Sequence, residues 1–221
     1  MNKEDNIKEK FKQALISTVK VISEEYQIDN EFKKNLSSEN YNFFELDNLN
    51  NRSDFIKLRA ETDSEALKRK FSNKEIYLKN LPKKSSCRKL YDISEKIRYE
   101  LLGSKMLRGI SGNFNENYNN KISLKRKDQL KTKEDVNITE AFELYMLKNF
   151  FYIKLNPLSE KILSFWEKEF KSSFDKHLNY FKKNIETQEI YNSKFSELLQ
   201  EMETFDSENN DEKQEHQQDE N

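Results

Sequence analysis

The chain has 221 residues, a mass of 26.6 kDa and a net charge of −1, the size of one large domain or of one domain with a tail. Apolar residues make up 34% and charged residues 36%, but aromatics reach 12%, and large buried rings offset a modest apolar fraction. With three glycines and two prolines there is no glycine-rich phosphate loop, and the tight turns of sandwiches, barrels and Rossmann sheets lack their usual residues, so an all-α, compact, irregular helical domain is expected.

The first residues, Met1–Lys12, are charged and lack the apolar stretch of a signal peptide. No run of 18 apolar residues occurs anywhere, so no transmembrane helix is expected. Ile7, Phe11, Ala14, Leu15, Thr18, Val19 and Ile22 recur at three- and four-residue steps and predict the first helix. From Gln27 to Arg52 the pattern weakens, and an irregular segment is expected. A helix then starts near Ser53 and runs past Phe71, and another spans Ser86–Leu107. The glycines, Gly103, Gly109 and Gly112, cluster at its end and mark a chain reversal or a close backbone contact. Asn115–Asp135 reads as a polar stretch.

Asn137 and Glu140 resemble a capping box that opens a helix through Phe151. Asn156-Pro157 places a cap residue before a proline at the first helical position. Leu158, Ile162, Phe165, Trp166, Phe170, Phe174, Leu178, Phe181 and Ile185 then predict one long helix, and Tyr191–Met202 a last one. Residues 1–205 form the expected domain, and 206–221 a disordered acidic tail or linker. From Thr204 onward seven acids face one base, a net −6, which leaves +5 on residues 1–203 of a chain that totals −1.

The motifs of common enzyme classes are missing: no Walker A pattern, dinucleotide fingerprint, zinc helix or nucleophile elbow occurs. Two histidines and one cysteine, far apart, do not make a His/Cys metal site. His177, on the aromatic stripe, reads as a packing residue. Cys87 excludes an internal disulfide and fits a reducing cytoplasm, the expected location. Lys121, Lys125, Arg126, Lys127, Lys131 and Lys133 offer charge for phosphates, but no aromatic ring interleaves with them to stack on bases. A nucleic-acid-associated helical protein, or a scaffold without enzymatic activity, is the alternative reading.

The most informative stretch runs from Leu58 to Phe114. It contains Arg59-x-Glu61-x-Asp63-x-x-Ala66-Leu67, then Leu81-Pro82, Glu95-x-x-Arg98-x-Glu100-x-x-Gly103 and Gly109-Ile110-x-x-Asn113. Arg59 and Asp63 stand four apart on one helix face, and Arg98 stands three from Glu95, spacings that suit ion pairs. They read either as a solvated helix face or as one polar network of Arg59, Glu61, Asp63, Glu95, Arg98 and Glu100 between two helices, closed by the glycines.

This stretch resembles the N-terminal region of the CobT-type subunit of aerobic, ATP-dependent cobaltochelatase. Ala60 stands where that family usually has glycine, and Phe71, Ser72 and Tyr77 stand where it commonly has histidines. Family members continue past the acidic linker into a von Willebrand A-type domain with an Asp-x-Ser-x-Ser metal site, and no such motif occurs in these 221 residues. The resemblance implies a non-catalytic subunit of a complex that inserts Co²⁺ into a corrin ring, hydrogenobyrinic acid a,c-diamide, in cobalamin biosynthesis. It implies as partners an AAA+ ATPase subunit and a large corrin-binding subunit. The complex would use ATP, Mg²⁺ and Co²⁺, with no cofactor or metal held by this chain.

Overall fold

A computed structural model describes residues 3–26, 52–123 and 132–202, and every regular element among them is helical. The helices are α1 (Lys3–Ser23), α2 (Arg52–Phe71), α3 (Lys74–Lys79), α4 (Ser85–Met106), α5 (Arg108–Ser123) and α6 (Ile138–Met146). A π-helical turn (Leu147–Phe151) follows, then α7 (Pro157–Ser164), α8 (Glu167–Phe174), a 3₁₀ turn (Asp175–His177), α9 (Leu178–Lys183) and α10 (Gln188–Gln200). The expectations for residues 27–51 and for the acidic tail lie outside the described residues.

The described residues group into two compact units. The first holds the residues up to Phe71 together with Tyr99–Lys121, and the second holds Ser72–Arg98 and the residues from Ile122 onward. Helix α4 thus gives its first part to one unit and its last part to the other.

In the first unit α1 packs on α2. Leu15 and Val19 are fully buried on the predicted stripe, and Phe11 stacks on Phe55 with ring centroids 4.8 Å apart. The polar reading of Asn115–Asp135 is corrected here, because α5 continues helically to Ser123. Asparagine is a poor helix former, but Ile110, Phe114, Tyr118 and Ile122, four apart, are all buried, and tertiary packing overrides local propensity. The chain doubles back at Leu107, between α4 and α5. In a straight helix Glu100 and Tyr118 would be about 27 Å apart, yet the Tyr118 hydroxyl donates to Glu100 Oε2.

The second unit has a core of rings. Phe142 meets Phe170 edge-on at 5.4 Å, and Phe181 stacks on Phe195 at 3.9 Å, with Tyr145, Phe174 and Tyr191 completing the cluster. The predicted long helix over Leu158–Ile185 is instead α7, α8, the 3₁₀ turn and α9. A straight helix of that length would run about 42 Å, too far for its whole stripe to reach one small core. The first break falls at Trp166, whose φ of −122° leaves helical geometry. Its indole Nε1 donates to the Val136 carbonyl at 3.2 Å. The second falls at Asp175, which accepts from the Tyr145 hydroxyl at 2.7 Å. Asn156 caps α7 as its sequence suggests, accepting from the Ser159 N–H at 2.8 Å with Pro157 in the first turn.

Candidate functional site

The motif charges sit on α2 and α4, and the fold buries most of them. Asp63 is fully enclosed, and Arg98, Glu100 and Glu95 are 1%, 1% and 3% exposed. Such burial is tolerated only where each charge finds partners.

In the first unit the pairing begins at Arg59. Its Nε lies 3.4 Å from Asp63 Oδ1, and its Nη1 donates to Thr18 Oγ1 of α1 at 3.2 Å. Asn113, on α5, donates from Nδ2 to Asp63 Oδ2 at 2.6 Å. Three residues of the sequence motif, Arg59, Asp63 and Asn113, therefore meet in one cluster. Burial pushes the Asp63 carboxyl above its usual range, against the opposing pull of Asn113 and Arg59. One turn beyond Ala60, Ser64 donates to Glu100 Oε1 at 2.7 Å, while Tyr118 binds the other carboxylate oxygen. Glu61 is half-buried and has no hydrogen bond or ion pair to a described residue.

Gly103 explains why α2 and α4 approach so closely in this unit. A methyl group added there would stand 2.3 Å from Leu67 Cδ1, inside any real contact distance. Gly109 and Gly112 lie within α5, and a methyl group at either meets nothing within 4 Å. None of the three uses a left-handed backbone conformation.

In the second unit Glu95 and Arg98 form a closed centre. Arg98 donates from Nε to Glu95 Oε2 at 2.8 Å, from Nη2 to Oε1 at 2.9 Å, and from Nη1 to the Ile185 carbonyl at 3.3 Å. Ser72 Oγ donates to Glu95 Oε1 at 2.6 Å, and Gln188 Nε2 donates to the same oxygen at 3.1 Å. The Gln188 carbonyl oxygen accepts the Asn73 N–H at 2.7 Å, tying α10 to the start of α3. Nearby, the Tyr77 hydroxyl donates to Asp92, and its own ionisation is pushed upward by burial and then by that carboxylate. Ser72 and Tyr77 are thus bonded to Glu95 and Asp92.

Sequence reasoning missed Ser64, Tyr118, Ser72 and Gln188 as partners. Ser64 and Ser72 lie in or beside the motif segment, but nothing in the spacing of Tyr118 or Gln188 signals a role. The remaining candidates are accounted for locally. Cys87 is buried and its thiol donates to the Leu199 carbonyl at 3.3 Å. His177 is half-buried in the 3₁₀ turn, and burial followed by Lys194 and Lys176 lowers its basicity. Lys133 pairs with Glu169 and lies 4.0 Å over the Trp166 ring, whereas Lys125, Arg126, Lys127 and Lys131 lie outside the described residues. Among the described residues no three His, Cys, Asp or Glu side chains are grouped to hold a metal ion, and no helix is long and apolar enough to cross a membrane.

The site is therefore a set of interior ion pairs that organise helices. A family model described as cobalamin biosynthesis protein CobT matches residues 5–221, and the chain belongs to this family. Neither the curated proteins nor the solved structures compared with the chain gave a match.

Proposed function

We propose that this chain is a non-catalytic subunit of the aerobic, ATP-dependent cobaltochelatase, acting in the cytoplasm. It docks to an AAA+ ATPase subunit and couples that subunit's motion to Co²⁺ insertion into hydrogenobyrinic acid a,c-diamide, which a large subunit holds. Co²⁺ is substrate here, and ATP and Mg²⁺ belong to the partner. The observation that carries the reading is the CobT family match over residues 5–221. The motif charges agree with it: Arg59, Asp63, Glu95, Arg98 and Glu100 brace helices internally. A braced body suits a part that transmits force.

The test is reconstitution. The chain is mixed with the large and AAA+ subunits, and ATP-dependent cobalt insertion is followed by the change in corrin absorbance. Insertion that requires the chain, with co-elution of chain and AAA+ subunit, is the expected result. An equal rate without the chain, and no co-elution, would overturn the proposal.

A further inference from the structure

Tyr152 ends the π-helical turn of the second unit in a left-handed conformation, φ 56° and ψ 31°, and is 74% exposed. No other large apolar or aromatic side chain among the described residues is as exposed. The fold needs the bend at this point. The N–H groups of Tyr152 and Ile153 both donate to the Leu147 carbonyl, and Phe150, Ile153 and Leu155 on either side are buried. A left-handed cap is ordinarily glycine or asparagine, because a larger side chain is strained there. The bend therefore has no need of a ring, and this ring buries little of itself in the unit. Backbone strain of this kind clusters at functional positions, and so do π-helical turns.

The ring is held in place from α9. Lys182 Nζ donates to the Tyr152 hydroxyl at 3.0 Å and lies 4.8 Å from the ring centroid, with the Phe150 ring 5.7 Å away on the buried side. Beyond the turn, burial alternates along the chain: Ile153 and Leu155 are buried, and Tyr152 and Lys154 are exposed together. Lys183, next to Lys182, is exposed as well. Lys154, Lys182 and Lys183 have no ion pair with a described residue. Residues 147–159 and 176–185 contain no acid. Of the flanking acids, Glu160 pairs with Lys148 and Asp175 accepts from Tyr145, while Glu186, just past α9, adds one exposed negative charge. The exposed ring thus stands in a setting of unpaired positive charge.

We infer that Tyr152, with Lys154, Lys182 and Lys183 beside it, is the anchor by which this chain docks on an acidic face of its AAA+ partner subunit. The inference rests on the subunit reading above and goes beyond it in naming the place of contact. Charge complementarity selects the occupant: an apolar pocket that takes the ring, rimmed by aspartate or glutamate side chains that meet the lysines. Tyrosine is among the residues that carry most of the energy of such contacts. The Lys182 hydrogen bond orients the ring beforehand, so little side-chain freedom is lost on binding. Single-strand nucleic-acid binders instead stack successive bases on several rings, and residues 147–159 offer one that is exposed.

Titration calorimetry of the full chain against the AAA+ subunit, at low and high salt, tests this. Tyr152→Gly suits the left-handed backbone, so the variant should melt no lower than the wild type while its Kd rises roughly tenfold or more. Lys154→Glu, whose side chain holds no part of the fold, should weaken binding roughly threefold and flatten its salt dependence. If both variants bind as tightly as the wild type, the docking proposal is overturned and the subunit reading stands. If the wild type itself does not bind the AAA+ subunit, both are overturned. Wild-type binding to a single-stranded oligonucleotide that Tyr152→Gly abolishes would reassign the ring to base stacking and overturn the acidic partner.

Discussion

Arg98 and Glu95 meet through two parallel hydrogen bonds, 2.8 and 2.9 Å long, one turn apart on α4. Both are almost wholly enclosed, and Glu95 also accepts from Ser72 and Gln188. Removing one partner strands the other without water.

Arg98→Ala should therefore cost about 3–5 kcal/mol in urea unfolding, the range for one member of a buried pair. Replacing both charges, as in Glu95→Leu/Arg98→Met, should recover most of that loss, because two desolvated ions disappear together. A loss below about 1 kcal/mol for the single variant, the surface range, would show that the pair is wet in solution.

Gly103 and Gly112 should respond in opposite directions. Gly103→Ala drives a methyl group against the Leu67 side chain, which is fully buried. Overpacking of this kind costs about 1–3 kcal/mol. Gly112→Ala, in open space on α5, should stabilise by about 0.5–1 kcal/mol through helix propensity. Thermal melts of the two variants check both signs.

Asp63 makes stability depend on pH. Burial raises its native pKa above the ordinary 3.8. Its contribution is complete below that ordinary value and is lost as pH rises through the native one, because the folded site resists the charge that the unfolded chain accepts. Asp63→Asn removes this loss, so the variant should gain on the wild type as pH rises above the ordinary 3.8. Denaturant midpoints across that rise measure it, and a flat difference would show that Asp63 ionises as freely as in the unfolded chain.

Asn156 works at two places. Its Oδ1 caps α7, and its Nδ2 donates to the Ile122 carbonyl at 2.9 Å. Asn156→Ala should cost about 1–2 kcal/mol, and Asn156→Asp, which keeps only the cap, should fall between. Equal losses for the two variants would mean that the cap contributes nothing, and a wild-type value for Asn156→Asp would mean that the Ile122 contact contributes nothing.

Periodicity and caps made α1, α4 and α10 legible, because an apolar stripe or a cap residue is a local signal. Asn156-Pro157 marked the start of α7 for the same reason. The breaks at Trp166 and Asp175 depend on Val136 and Tyr145, some thirty residues away, and no local pattern carries that information. Helix α5 was hidden by its asparagines, although Ile110, Phe114, Tyr118 and Ile122 spell its buried face. The motif spacing anticipated the Arg59–Asp63 and Glu95–Arg98 pairs. It had no means of assigning them to different units, since that division falls between Arg98 and Tyr99 in mid-helix.

Cys87 gives the second unit a built-in clock. It is the sole cysteine of the chain, and its thiol is shut beneath the Leu199 carbonyl. A thiol reagent reaches it only during moments when α4 and α10 part. The labelling rate of the unaltered protein then reports how often that seam opens, without any introduced probe.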